Sequence, residues 1–369
     1  MSTVWSEPKP VLVLIGSLRS GGQERQAANL VNALAEQGVP VALAVLTDRF
    51  ENAYEIDPRV QVLALGRGGV IGAVLATVRL GRLAGSFSAV YSMLDVANVV
   101  SGLVGLLRSA RVVWAVGSSN VSPGWVPRLA FGVAKWLSPR ADLMISNAHR
   151  VEAFYLGSGF RPKRSLVIEN GIDLGLFHPD GPTSLRVDLN TPPSVRLIGC
   201  VGRFHPAKRI DLLCRAMGQV FQHSPDAHLV LIGRGMTASN AELTAWLNRH
   251  DLGGRTHLLG ERTDMPRLYR DLDLVVCSSD YEGMSNSVLE ALASGIPCVS
   301  TDVGDSARVL LPECVVPVGD ARALETAISC VLDDETLAQQ AATYGHRRVR
   351  ECYSLEQLAS ATLEVLQGI

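Results

Sequence analysis

An apolar strand that runs into a glycine- and serine-rich turn and then into an apolar helix leaves a chain few ways to fold. Leu272 to Cys277 has the length and β-branched content of a strand covered on both faces, and Val288 to Ala293 reads as helix. Between them, Gly283 permits close backbone approach, and Ser285, Asn286 and Ser287 are good N-cap residues. The pattern recurs near the start. Val11 to Ile15 is a short buried strand, Gly16 to Gly22 a glycine-bearing loop, and Gln23 to Gln37 a helix with Ala27, Leu30, Val31 and Leu34 at helical spacing. Gly38 ends that helix and Val39 to Leu46 gives the next strand. Strands alternating with helices in this way predict an α/β fold built on doubly wound parallel sheets.

At 369 residues the chain is too long for one ordinary core and suits two domains. Asp180 to Ser194, DGPTSLRVDLNTPPS, is rich in turn residues and is the expected linker, which predicts domains over 1–180 and 194–350. With 34 basic and 36 acidic residues the chain lacks the electrostatic footprint of a nucleic-acid binder. All seven cysteines fall from Cys200 onward and none forms a Cys-x-x-Cys pair. Cys200, Cys277 and Cys298 lie in apolar runs, as small buried residues of a reduced, cytoplasmic protein would. The polar start shows no signal peptide, and the apolar stretch Val96 to Leu107 is better read as a core helix than as a membrane span.

The chemistry is expected where strands end. Backbone N–H groups at the Gly283 to Ser287 turn, with the positive end of the following helix dipole, suit a diphosphate. Glu282 in the loop and Glu290 in the helix, seven residues between them, place two hydrogen-bond acceptors where sugar hydroxyls could be held. Spacing alone leaves a plainer reading open, in which Ser287 and Glu290 form a capping box and Glu282 is a solvated loop acid. Ser194 to Val201 is a further strand, followed by GRFHPAKR, and Pro206 keeps that segment out of regular helix. Arg203 offers a bidentate fork and Lys208 a point charge to an anion there, with His205 between them.

Other motifs read as structural. Asp271-Leu272-Asp273 spells a D-x-D but stands before a buried strand, where a solvated helix end is expected and no metal site. GSLRSGG does not spell G-x-G-x-x-G, so Asp48 is a weak candidate for a nicotinamide ribose contact. Trp125, Phe131 and Trp136 on a helical stretch read as packing residues, with acceptor lining as the lesser reading. Val70 to Leu83 carries Arg79 and Arg82 on one side, a thin patch for a lipid surface.

YEGMSNSVLEALASGIPCVSTDVG resembles the E-x7-E segment of the family 4 retaining glycosyltransferases, and Asn170 to Asp173, NGID, resembles a segment at the end of their first domain. The resemblance implies the GT-B fold, two Rossmann-like domains facing across a cleft, with the final helix, 354–369, packing back on the first. By it Glu282 would touch the donor hexose and Glu290 the ribose, Arg203 and Lys208 would carry the diphosphate, and Arg262 would lie near the base. Arg203, Lys208 and Glu282 would then be catalytic, and Gly22, Gly283, Met284, Ser285, Asn286 and Ser287 would line the donor. Arg19 and Gly21, in a loop with Ser20, would meet the acceptor. Where many members have a histidine this chain has Gly117 and then Ser118, Ser119 and Asn120, expected as acceptor contacts. The implied activity is metal-independent, retaining transfer of a hexose from a nucleotide diphosphate sugar, expected to be UDP-linked. The implied acceptor is a glycan or lipid-linked glycan, at the cytoplasmic face of a membrane or free of it. A non-catalytic sugar-nucleotide-binding partner subunit and a sugar-nucleotide epimerase are the alternatives.

Overall fold

The structure, a computed structural model, describes residues 9–19, 21–47, 54–66, 69–106, 110–121 and 124–368. Ser20 and Asp48 lie outside the described residues. The chain divides into two compact units, one of Met1–Gly171 with Leu355–Ile369 and one of Ile172–Ser354.

In the first unit the described elements run β1 (Val11–Ile15), α1 (Gly22–Glu36), β2 (Val41–Val45), β3 (Gln61–Ala64), α2 (Gly69–Leu83), β4 (Ala89–Met93) and α3 (Asp95–Gly105). β5 (Arg111–Val116), α4 (Trp125–Leu137), β6 (Leu143–Ser146), α5 (His149–Gly157) and β7 (Ser165–Val167) follow. The strands form a parallel sheet ordered β3-β2-β1-β4-β5-β6-β7. Alternate side chains of each strand point to opposite faces. Val11, Val13 and Ile15 pack with α1, whereas Leu12 and Leu14 pack with α2 and α3, and Trp114 with α4 and α5. Both faces are covered, which is why the central strands are continuous apolar runs.

The second unit begins with α6 (Leu185–Asp188), β8 (Arg196–Val201), α7 (Ile210–His223), β9 (Ala227–Ile232), α8 (Ala241–Arg249), β10 (Thr256–Gly260) and α9 (Met265–Tyr269). It continues through β11 (Leu274–Cys277), α10 (Asn286–Ala293), β12 (Cys298–Thr301), β13 (Val315–Val316), α11 (Ala321–Asp333) and α12 (Glu335–Cys352). Its parallel sheet is ordered β10-β9-β8-β11-β12-β13. From β8 the chain winds outward to β10, then returns beside β8 with β11 and winds the other way. The gap between the carboxyl ends of β8 and β11 is therefore the topological switch point, where open α/β sheets bind ligands.

Asp180 to Ser194 is more than a linker. It holds α6, whose Leu185 is buried in the second core, and Arg186 of that helix engages both acids of the D-x-D. Asp273 is exposed, as a solvated helix end would be, but both acids are engaged by Arg186. Asp273 Oδ2 accepts from the Leu197 N–H at 2.6 Å and from Arg186 at 2.7 Å, and burial pushes its carboxyl up. The last helix, α13 (Leu355–Gln367), packs against α1, with Leu358 and Ala359 buried in the first unit's core. Cys200, Cys277 and Cys298 are buried thiols, and burial raises the Cys200 pKa to about 12.

Candidate functional site

The two loops at the second unit's switch point are tied to each other. The β11 loop donates the Asp280 N–H to the Ala207 carbonyl at 2.8 Å and the Ser278 hydroxyl to the Lys208 carbonyl at 2.8 Å. Arg209 completes the tie, with Nη1 2.8 Å from Asp280 Oδ1 while Nε holds Asp211 at 3.0 Å. Arg209 itself lies in the left-handed region, φ 46°, which ends the turn Pro206–Lys208 and starts α7.

That scaffold delivers Lys208 Nζ to within 2.5 Å of Glu282 Oε1, which also accepts from the Ser279 hydroxyl at 2.8 Å. Burial disfavours the lysine charge, but the Glu282 carboxylate outweighs it and the ammonium is held well above its ordinary pKa. Arg203, on the same loop, is exposed and makes no ion pair among the described residues. His205 accepts the Ala207 N–H on Nδ1 at 3.2 Å; burial and then the Arg203 and Lys208 cations lower its pKa. Arg203, His205 and Lys208 thus share the one loop at the carboxyl end of β8.

The turn into α10 meets them there. Its N-cap is Ser285, whose side chain makes no cap bond to the helix and instead lies 3.0 Å from the Ser287 hydroxyl. The capping box of Ser287 with Glu290 does not form, because Ser287 is already inside the helix. Gly283 and Met284 are buried, and Gly304 holds them down, with φ +52° and its missing Cβ 1.6 Å from the Gly283 carbonyl oxygen. Gly233, at the end of β9, plays the same part under the other loop, with the Gly202 carbonyl 2.1 Å from its Cβ position. As at any helix start, the first N–H groups of α10 have no acceptor within the helix itself.

The two glutamates stand in different surroundings. Glu282 is half-buried in the loop, whereas Glu290 is 3% exposed and Oε2 accepts from the Tyr269 hydroxyl at 3.0 Å. Arg262 is committed to carboxylates, Asp264 at 2.6 Å and Asp188 at 3.2 Å, and those hydrogen bonds raise its pKa. Sequence reasoning missed Arg209, Asp280, Ser278, Ser279 and Tyr269; the only trace was the adjacency of Arg209 to Lys208. Among the described residues no three His, Cys, Asp or Glu side chains gather as a metal cluster.

In the first unit Gly21 is the N-cap of α1, its N–H and carbonyl both bonded to the Tyr54 hydroxyl at 2.9 and 2.8 Å, and Gly22 is the first helical residue. Arg19 is exposed on the loop before it. Ser118 and Asn120 form a local turn, Ser118 Oγ accepting the Asn120 N–H at 3.3 Å, with Ser119 between. The two loops adjoin, since the Gln23 amide lies where a Cβ on Gly117 would stand. Asn147, beside them just past the end of β6, is buried, and its Oδ1 has no hydrogen-bond donor among the described residues. No sequence signal marked it.

The family model described as Glycosyltransferase Family 4 matches residues 20–176, and the one described as Glycosyl transferases group 1 matches residues 195–334. The lipopolysaccharide core biosynthesis mannosyltransferase LpsB of Rhizobium meliloti is 28% identical over 268 residues, which cover 70% of this chain and 72% of LpsB. LpcC of Rhizobium leguminosarum, named as the same kind of enzyme, is 33% identical over 62% of this chain and 64% of its own. Among solved structures, Anabaena HepE in complex with UDP superimposes with a TM-score of 0.82 at 20% identity, covering 98% of this chain and all of that one. Two doubly wound parallel sheets, a charged switch point in the second, and family matches across both units lead to one conclusion: the chain belongs to the family 4 glycosyltransferases, with the GT-B fold.

Proposed function

We propose that this glycosyltransferase is a retaining hexosyltransferase that uses a UDP-linked donor, held by the second unit, and a hydroxyl of a glycan or lipid-linked glycan, held by the first. The observation that carries the donor half is the Lys208–Glu282 pair fixed between two tied loops at the switch point. LpsB and LpcC are named as acting in lipopolysaccharide core synthesis and HepE was crystallised with UDP, which supports the substrate classes.

As the bond between the anomeric carbon and the β-phosphate oxygen breaks, negative charge builds on that oxygen. Arg203, Lys208 and the N–H groups at the start of α10 stabilise it, so no metal is required in this reading. Glu282 orients Lys208 and accepts from hexose hydroxyls. The acceptor oxygen attacks from the face the phosphate leaves, and the departing phosphate takes its proton, giving the glycoside and the nucleoside diphosphate with anomeric configuration kept. Ser118, Asn120 and the donor-less Oδ1 of Asn147 suit the acceptor's hydroxyls.

The test is a melting-temperature titration with UDP, GDP, ADP and dTDP, with and without magnesium, beside turnover with each donor. A ligand at 100 times its Kd stabilises by about 2.7 kcal/mol. UDP is expected to stabilise without magnesium, and Arg203→Ala/Lys208→Ala to abolish the shift. Lys208→Ala alone is expected to lower turnover about 10²-fold to 10³-fold. A shift that survives the double substitution sinks the assigned site.

A further inference from the structure

A helix packed on a sheet normally turns a polar side to water. On the Leu12 and Trp114 face of the first unit, α2, α3 and α4 also turn large apolar side chains to water. On α4, Trp125, Leu129 and Trp136 are 74%, 58% and 72% exposed and share one stripe, four and seven residues apart. The inward side of α4 is accounted for separately by Phe131, which packs among Phe154, Tyr155 and Phe160. The sequence reading of these three aromatics as packing residues thus holds for Phe131 and fails for both tryptophans. At 100° per residue, position 131 points away from the stripe.

The apolar surface continues beyond α4. α3 packs against both α4 and α2; its Val96 and the Leu106 that follows the helix are exposed, as are Val74, Leu75 and Val78 of α2. The exposed charges on these three helices are all positive. Arg128 and Lys135 lie exposed on α4, and Arg79 and Arg82 on α2. The acid carried by the three helices is Asp95, and its Oδ1 faces the Tyr155 hydroxyl at 3.2 Å. Just past α4, Arg140, Arg161 and Arg164 are also exposed.

We propose that α4, with the outer edges of α2 and α3, docks the first unit onto an anionic lipid bilayer. Indoles settle at the interface between headgroups and acyl chains, being apolar with one N–H donor. Arginine and lysine stems lie along the apolar layer and carry their charges to lipid phosphates. Charge complementarity selects this occupant: the stripe meets hydrocarbon while its flanking cations meet phosphate. The docking face shares no residue with the donor and acceptor sites, so the inference stands or falls apart from the proposed activity.

The experiment is flotation of the full chain with vesicles of phosphatidylcholine alone and of equal parts phosphatidylcholine and phosphatidylglycerol. Wild type is expected to partition onto the mixed vesicles about tenfold more strongly than onto the neutral ones, less so in high salt. Its tryptophan emission should shift to the blue on binding. Trp125→Ser/Trp136→Ser should lose both effects, and Arg128→Gln/Lys135→Gln should weaken partitioning about fivefold for each cation removed. All four side chains are exposed, so melting temperatures and turnover on a water-soluble acceptor should stay at the wild-type level. Failure of wild type to bind mixed vesicles, or flotation of both double variants like wild type, overturns the proposal. So does a concentration-dependent dimer that the tryptophan variant abolishes while vesicle binding is kept, which would make the stripe a protein interface.

Discussion

Lys208 keeps its charge because Glu282 stands 2.5 Å away, and the backbone carbonyl of the same lysine is pinned by Ser278. In the proposed reaction a cation fixed at both ends is pre-organised for the developing phosphate charge, whereas a free surface lysine would first have to be ordered. A second residue-scale device lies on the sheet of the same unit. His228 Nδ1 and His257 Nε2 are 3.0 Å apart on neighbouring strands, with stacked rings. Burial, then Arg255 for His228 and His228 for His257, holds both imidazoles below the ordinary 6.5. Because the folded pKa values are depressed, the unfolded chain takes up these protons first as pH falls. The stability they contribute is present above about pH 6.5 and is lost below it. Melting temperature should therefore drop from about pH 7.5 to about pH 5, and His228→Gln/His257→Gln should make that fall shallower. A slope unchanged by the double substitution would assign the drop to other groups.

Loops decide more than strands do at the scale of elements. β11 and α10 fix the ends of the segment Ser278–Ser285, but its path is set by Gly304, whose positive φ lets the next loop pass against the Gly283 carbonyl. Gly304→Ala adds a methyl where there is no room and demands a strained backbone, so a loss of about 2–4 kcal/mol is expected. The same variant should weaken nucleotide-induced stabilisation, since the start of α10 moves with Gly283. A melting point within a degree of wild type would show that the loop has slack. The long periodic helices and central strands were legible in sequence. β3 and β13 were not: β3 is an edge strand with a partly exposed, non-alternating pattern, and β13 has two residues.

The first unit is completed by the end of the chain. Leu358 and Ala359 of α13 are buried in its core, and Gln26 and Asn29 of α1 bind the Gly171 carbonyl, at 3.1 and 3.0 Å, where the chain leaves the unit. Leu358→Ala should cost about 2–4 kcal/mol. A chain ending at Ser354 should lose residues 1–171 to limited proteolysis before 172–354, whose core contains nothing from α13. Equal survival of both fragments would show that α13 contributes little to the first core.

Periodicity and turn chemistry were enough to determine two doubly wound α/β units, because a strand buried on both faces needs an apolar run and a helix on a sheet needs a stripe at 3.6-residue spacing. Short motifs in the same sequence also singled out Arg203, Lys208, Glu282 and the turn into α10. Tertiary structure alone decided what those residues face. Glu290 meets Tyr269, Arg262 reaches Asp188, and Asp271 and Asp273 clamp Arg186, pairings that span up to 87 positions in sequence. It also decided that Trp125 and Trp136 face outward, since a helix's own spacing says which residues share a side but not which side the core will cover. Local pattern is read along the chain, whereas partners and exposure arise from segments brought together only by folding.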